Sequence, residues 1–150
     1  MSNTVSRLST METLIFLKKV PLFQAFELEE LLLLKQVTME ETFAQGELII
    51  RENQTGKDAY IIVDGRVEIF TEKMGEEIKL ATLDKTGYFG EMSIIENEPR
   101  SASARALTEC LLLTIKGAQF REMMTTNAEL SFNLVKVFSQ RIRDMNQKTK

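Results

Sequence analysis

The sequence predicts a mainly β fold, a small sandwich or barrel, with helices before and after it. Three observations carry this. From about Thr42 the apolar pattern has period two, and short apolar segments recur about 8–12 residues apart between glycine-containing turns. Ahead of that stretch, over about residues 11–37, the apolar residues recur at helical spacing. They do so again over about residues 118–147. No internal repeat or low-complexity linker interrupts this order, so the 150 residues read as a single domain.

In the segment METLIFLKKV, Phe16, Leu17 and Val20 fall on one helical face, with Lys18 and Lys19 turned away. Pro21 then ends or restarts the helix, because its ring removes a backbone donor. Glu27–Val37 makes a second short helix. Its run Leu31–Leu34, between Glu29-Glu30 and Lys35, reads as a buried helical segment. The two helices are expected to pack as an N-terminal bundle.

The barrel is expected over about residues 42–116. Thr42-Phe43-Ala44 leads into the turn Gln45-Gly46, and then into Glu47-Leu48-Ile49-Ile50. Asn53-Gln54-Thr55-Gly56 turns again. Ala59–Val63 is a buried run, Asp64-Gly65 a hairpin dipeptide, and Arg66–Thr71 alternates. Lys73-Met74-Gly75-Glu76 precedes Ile78, Leu80 and Leu83, and Cys110–Ile115 forms the last strand. The tail then returns to helix. Ala118–Met124 is a short piece, and Asn127 is placed to N-cap the next. Leu130, Leu134, Val137, Phe138, Ile142 and Met145 form a packing stripe, on the chain's own barrel or on a second copy.

Composition removes several function classes. The chain is 43% hydrophobic and 27% charged, ordinary for a globular protein, and its formal charge of −3 gives no support for a nucleic-acid-binding surface. No apolar run approaches the roughly eighteen residues a membrane helix needs. Met1–Thr13 holds no apolar core of a secretory signal, and the single cysteine, Cys110, cannot form an internal disulfide. A cytoplasmic protein is expected. There is no histidine, which argues against imidazole-based catalysis and against a zinc or iron site. No catalytic residue and no metal ligand is assigned, although an enzyme built on two carboxylates remains formally open.

One stretch, GYFGEMSIIENEPRSASARA at 87–106, concentrates chemistry. Gly90 lets the backbone approach a ligand, and residues 91–95 can start a short helix whose free N–H groups favour an anion. The turn Asn97-Glu98-Pro99 returns Arg100, whose planar charged fork suits a phosphate, toward that helix start. Ser101, Ala102, Ser103 and Ala104 are small enough for their amides to reach the same oxygens. Glu91 is the odd member, because a phosphate repels a carboxylate unless a donor such as a sugar hydroxyl stands between them. The spacing asks for a compact ligand with a phosphate and a neighbouring hydroxyl. The competing reading is an intramolecular Glu91–Arg100 ion pair.

FGEMSIIENEPRSASARA resembles the phosphate-binding cassette of cyclic-nucleotide-binding domains, the sensor domains of the catabolite-activator, protein-kinase-A-regulatory-subunit and cyclic-nucleotide-gated-channel type. In that pattern F-G-E is followed by small or apolar residues, a short linker, P-R, two small residues and an alanine. LKKVPLFQAF, FAQGELIIREN and AYIIVDGRVEIF extend the resemblance over about residues 14–145. It implies an eight-stranded jelly-roll barrel with helices on either side and a cassette at about 89–104.

By the same resemblance Arg100 would bind the exocyclic phosphate oxygens and Glu91 would accept the ribose 2′-hydroxyl. The amides of Gly90, Met92, Ser93, Ser101 and Ala102 would supply further contacts. Ile69, Leu80 and Ala81 would line the base pocket, or serve as ordinary barrel core, and Arg141 could reach the base as a lid. Ser101 suits either cAMP or cGMP. An arginine often found near Ala81 in cGMP-selective members is missing, which favours cAMP.

Two positions depart from the pattern. A turn usually carrying glycine and an acid is Asn53-Gln54, and the glycine usually three before the cassette Phe is Thr86. Asn tolerates a left-handed backbone, so the first turn can survive.

The implied role is a non-catalytic switch in which ligand draws the cassette inward and the C-terminal helices move. Its effector would lie in another segment or a partner, with a homodimer possible and no DNA contact expected from these residues. The alternative is a ligand-free barrel of the same fold acting as a dimerisation or docking module.

Overall fold

The computed structural model describes residues 6–148, with side chains through Gln147. The first five residues of the N-terminal stretch and the last two of the polar tail lie outside the described residues. Two compact units form: a β unit, Thr38–Gln119, and a helical unit made from the residues up to Val37 and from Phe120 onward.

The β unit begins with β1 (Thr38–Phe43), β2 (Leu48–Ile50), β3 (Ala59–Asp64) and β4 (Val67–Lys73). It continues with β5 (Glu76–Leu83), β6 (Tyr88–Phe89), α3 (Glu91–Glu96), β7 (Ser103–Ala106) and β8 (Cys110–Ile115). One antiparallel sheet runs β1-β8-β3-β6 and the other β2-β7-β4-β5. Successive strands therefore alternate between sheets, apart from the β4–β5 hairpin. Met74 (φ +55) and Gly75 (φ +82) close that hairpin, and two positive φ values in a row match the twist of a tight β-turn.

The first strand starts at Thr38, four residues before the change of period at Thr42. Thr38-Met39-Glu40-Glu41 is too polar to advertise a strand, yet it pairs in register with Ile115–Leu112. Phe89, Ile62, Val67, Ala104, Ala106 and Leu112 fill the space between the sheets. Tyr60 stacks on Phe89 with ring centroids 5.2 Å apart. Gly65 (φ +103) is required by contact as well as conformation, since a Cβ there would lie 2.6 Å from the Glu109 carbonyl.

In the helical unit, α1 (Thr10–Lys19) starts with a capping box between Ser9 and Glu12. Phe16, Leu17 and Val20 are buried as their spacing required, and a 3-10 turn follows at Pro21–Phe23. In α2 (Leu28–Gln36) only Leu31 and Leu34 of the leucine run are buried. Four successive residues sweep most of a helix circumference at about 100° each, so Leu32 and Leu33 face outward.

α4 (Gly117–Thr126) and α5 (Ala128–Lys148) meet at Asn127. Asn127 stands at the N-cap position of α5, where its carbonyl accepts from Ser131 N at 3.1 Å, while its Nδ2 donates back to the Met123 carbonyl at 2.9 Å and closes α4. Leu130 and Leu134 are buried, whereas Ile142 and Met145 are exposed, so the C-terminal stripe is covered only along its first half. No helix among the described residues is long and apolar enough to cross a membrane.

Candidate functional site

The site is built around Arg100. Two backbone bonds hold its main chain, with Arg100 N donating to Gln54 O at 3.0 Å and Asn53 N donating to Arg100 O at 2.8 Å. Asn53 makes this possible by adopting φ +72, the left-handed conformation its side chain tolerates. The Arg100 side chain is buried, at 5% exposure. Nη2 donates to the Asp58 carbonyl at 2.8 Å and Nη1 to the Gly90 carbonyl at 3.2 Å. Its other N–H groups make no hydrogen bond to the described residues. Burial pulls its pKa down, opposed by Tyr60, Asp58 and Glu91, and a guanidinium in this setting stays charged.

Two glycines make room for that guanidinium. A Cβ on Gly56 would sit 2.8 Å from Nε and Nη2, and one on Gly90 would sit 2.9 Å from Nη1. Gly90 (φ +86) also precedes α3 in a left-handed conformation that turns the chain from β6 into the helix.

Glu91 opens α3. Its Oε2 is buried and has no hydrogen-bond partner. Burial raises the pKa of the carboxyl, opposed by its own backbone N–H and by the charge of Arg100. No salt bridge joins Glu91 to Arg100, so the ion-pair reading of these two residues is not realised.

Both residues line a cavity of about 220 Å³. Gly90, Glu91, Met92, Ser93, Arg100, Ser101 and Ala102 form its polar end, and Ile69 and Ala81 belong to an apolar wall with Ile50 and Leu83. Leu80 is not part of that wall. The ladder pairs Ile69 with Ala81 and Phe70 with Lys79, which leaves Leu80 as the unpaired residue of a β-bulge, and it is 56% exposed. Arg141 lies exposed on α5, in the helical unit.

Sequence reasoning missed Gly56 and Asp58. Gly56 was legible only as a turn residue, and Asp58 contributes through its carbonyl, which no side-chain pattern announces. No cluster of His, Cys, Asp or Glu that could hold a metal ion occurs among the described residues.

The chain is similar to known proteins in sequence and fold. The family model described as cyclic nucleotide-binding domain matches residues 40–127. The potassium channel AKT2 of Oryza sativa subsp. japonica is 38% identical over 88 residues, 58% of this chain and 10% of the channel. A CRP-like cAMP-activated global transcriptional regulator of Mycobacterium tuberculosis is 31% identical over 96 residues, 63% of this chain and 43% of that protein. This chain therefore spans less than half the length of either relative. The crystal structure of the N-terminal domain of a transcriptional regulator from Streptomyces coelicolor A3(2) superposes with a TM-score of 0.78 at 27% identity. That match covers 90% of this chain and 95% of the other.

Proposed function

The chain belongs to the cyclic nucleotide-binding domain family, and we propose that it is a non-catalytic regulatory domain that binds cAMP in preference to cGMP. The observation that carries this reading is the unpartnered Oε2 of Glu91 in the same cavity as the incompletely satisfied guanidinium of Arg100. A buried acceptor without a donor costs about 1–3 kcal/mol, so a ligand that supplies the donor recovers it. A ribose 2′-hydroxyl is such a donor, and an adjacent cyclic phosphate is the anion Arg100 suits.

In this proposal Arg100 takes the exocyclic phosphate oxygens and Glu91 accepts the 2′-hydroxyl. Backbone N–H groups of Gly90, Met92, Ser93, Ser101 and Ala102 complete the polar contacts. The base rests on the wall containing Ile69 and Ala81. Ala81 offers no donor to a guanine, which supports cAMP. The signal leaves through movement of the C-terminal helices, with Arg141 as a candidate lid, toward an effector in another segment or a second copy. The lone buried thiol of Cys110 requires no oxidising compartment, and the proposed setting is the cytoplasm.

Calorimetric titration with cAMP, cGMP and 5′-AMP tests the proposal. Micromolar or tighter binding of cAMP, with 5′-AMP much weaker, is the expected result. A folded protein that gives no heat with any of the three overturns it and leaves a docking module as the role.

A further inference from the structure

Asp58 touches both the guanidinium of Arg100 and the start of α4. Its carbonyl accepts from Arg100 Nη2 at 2.8 Å. Its carboxylate accepts from the backbone N–H of Gly117, the first residue of α4, at 3.1 Å, and Lys116 Nζ lies 3.6 Å from Oδ2. Gly117 is also seated directly on the adjoining peptide. A Cβ there would lie 1.6 Å from the Lys57 carbonyl oxygen, so no side chain fits between the two backbones. Asp58 is thus held by the arginine through its carbonyl and by α4 through its carboxylate.

We infer that Asp58 is a positioning residue that couples the occupancy of Arg100 to the first turn of α4. This rests on the proposed role of Arg100 as the phosphate ligand. An incoming phosphate competes for the guanidinium that now binds the Asp58 carbonyl. A shift of that carbonyl is passed through Cα and Cβ to the carboxylate of the same residue, the acceptor of the Gly117 N–H. A carboxylate at this position also complements the partial positive charge of a helix N-terminus, so its displacement changes how firmly the first turn is held. The coupling is reciprocal: whatever fixes Gly117 on Lys57-Asp58 also biases where the guanidinium points.

Amide hydrogen exchange at Gly117 reads the coupling directly, because that amide is the donor in the bond. In the wild-type protein saturating cAMP is expected to change the Gly117 exchange rate. Asp58→Ala raises the ligand-free rate about tenfold, the loss of roughly one charge-assisted hydrogen bond, and abolishes the cAMP response. Asp58→Asn keeps an oxygen acceptor and restores most of the response. A response to cAMP that is undiminished in Asp58→Ala overturns the inference, as does binding that leaves Gly117 unaltered in the wild type. Arg100→Leu supplies an arm that needs no ligand. It alters Gly117 exchange in the wild-type background but not with Asp58→Ala, and no change there also overturns the coupling. A protein that ignores every cyclic nucleotide while Arg100→Leu still moves Gly117 refutes the nucleotide reading and leaves the coupling standing.

Discussion

Glu91 and Arg100 line the same cavity without forming an ion pair. Arg100 spends its Nη1 and Nη2 on the carbonyls of Gly90 and Asp58, while Glu91 Oε2 is buried with no donor. Two opposite charges that could neutralise each other are instead held apart, each with unused hydrogen-bonding capacity. That arrangement costs the ligand-free fold, and under the proposed function a ligand that supplies the missing partners relieves the cost.

Arg100→Leu should weaken cAMP binding by roughly 2–5 kcal/mol, the range for removing one partner of a buried charge pair. Calorimetry on a variant whose circular dichroism matches wild type checks this. Unchanged affinity would remove Arg100 from the site.

Glu91→Ala should cost less, about 1–3 kcal/mol for one hydrogen bond to a charged group. The loss should almost vanish when 2′-deoxy-cAMP replaces cAMP, since that analogue has no hydroxyl to donate. Equal losses for both ligands would mean that Glu91 does not read the ribose.

Burial raises the folded-state pKa of Glu91 above the ordinary carboxylate value of 4.5. The ionised group therefore destabilises the ligand-free fold above the raised pKa, and the penalty is relieved as pH falls through that pKa toward 4.5. Glu91→Gln should be more stable than wild type at neutral pH by roughly 1 kcal/mol, with the gain shrinking as pH falls. Denaturant melts across that window measure it, and a gain independent of pH would rule out Glu91 as the titrating group.

Gly56→Ala places a methyl 2.8 Å from the Arg100 guanidinium. The side chain must give way, and the Asp58 and Gly90 carbonyls restrict where it can go. Affinity for cAMP should fall about tenfold, close to the worth of one charge-assisted hydrogen bond. Wild-type affinity in this variant would show that the guanidinium is free to relocate.

Thr86 holds φ +73, unfavourable for a β-branched residue. Its N–H donates to the Ile62 carbonyl and fixes the loop before β6. Thr86→Gly should raise stability by about 1 kcal/mol through relief of that strain, with cAMP affinity unaltered because Thr86 does not line the cavity. A thermal melt is sufficient, and a lower melting temperature would contradict the strain.

Much of this could be read from residue order. The period change near Thr42, the glycine turns and the flanking helical stripes specified the order of helices, strands and helices, because strand and helix impose different spacings on a buried face, but the short strands β6 and β7 were not marked by them. Gly90, Glu91 and Arg100 stood out because small, acidic and guanidinium groups at that spacing can surround a compact anion with a neighbouring hydroxyl, or else pair with one another. Leu80 misled for a local reason: a bulge takes it out of the ladder.

By itself, then, the sequence determined the order of helices, strands and helices and singled out Glu91 and Arg100 as candidate site residues. Those follow from periodicity and side-chain chemistry. Tertiary structure alone decided that Glu91 and Arg100 stay unpaired, that Gly56 and Gly90 clear space for the guanidinium, and that Asp58 joins it to Gly117. Each of these depends on backbone groups brought together from distant positions, and a carbonyl or a missing Cβ looks the same at every residue until the fold places it.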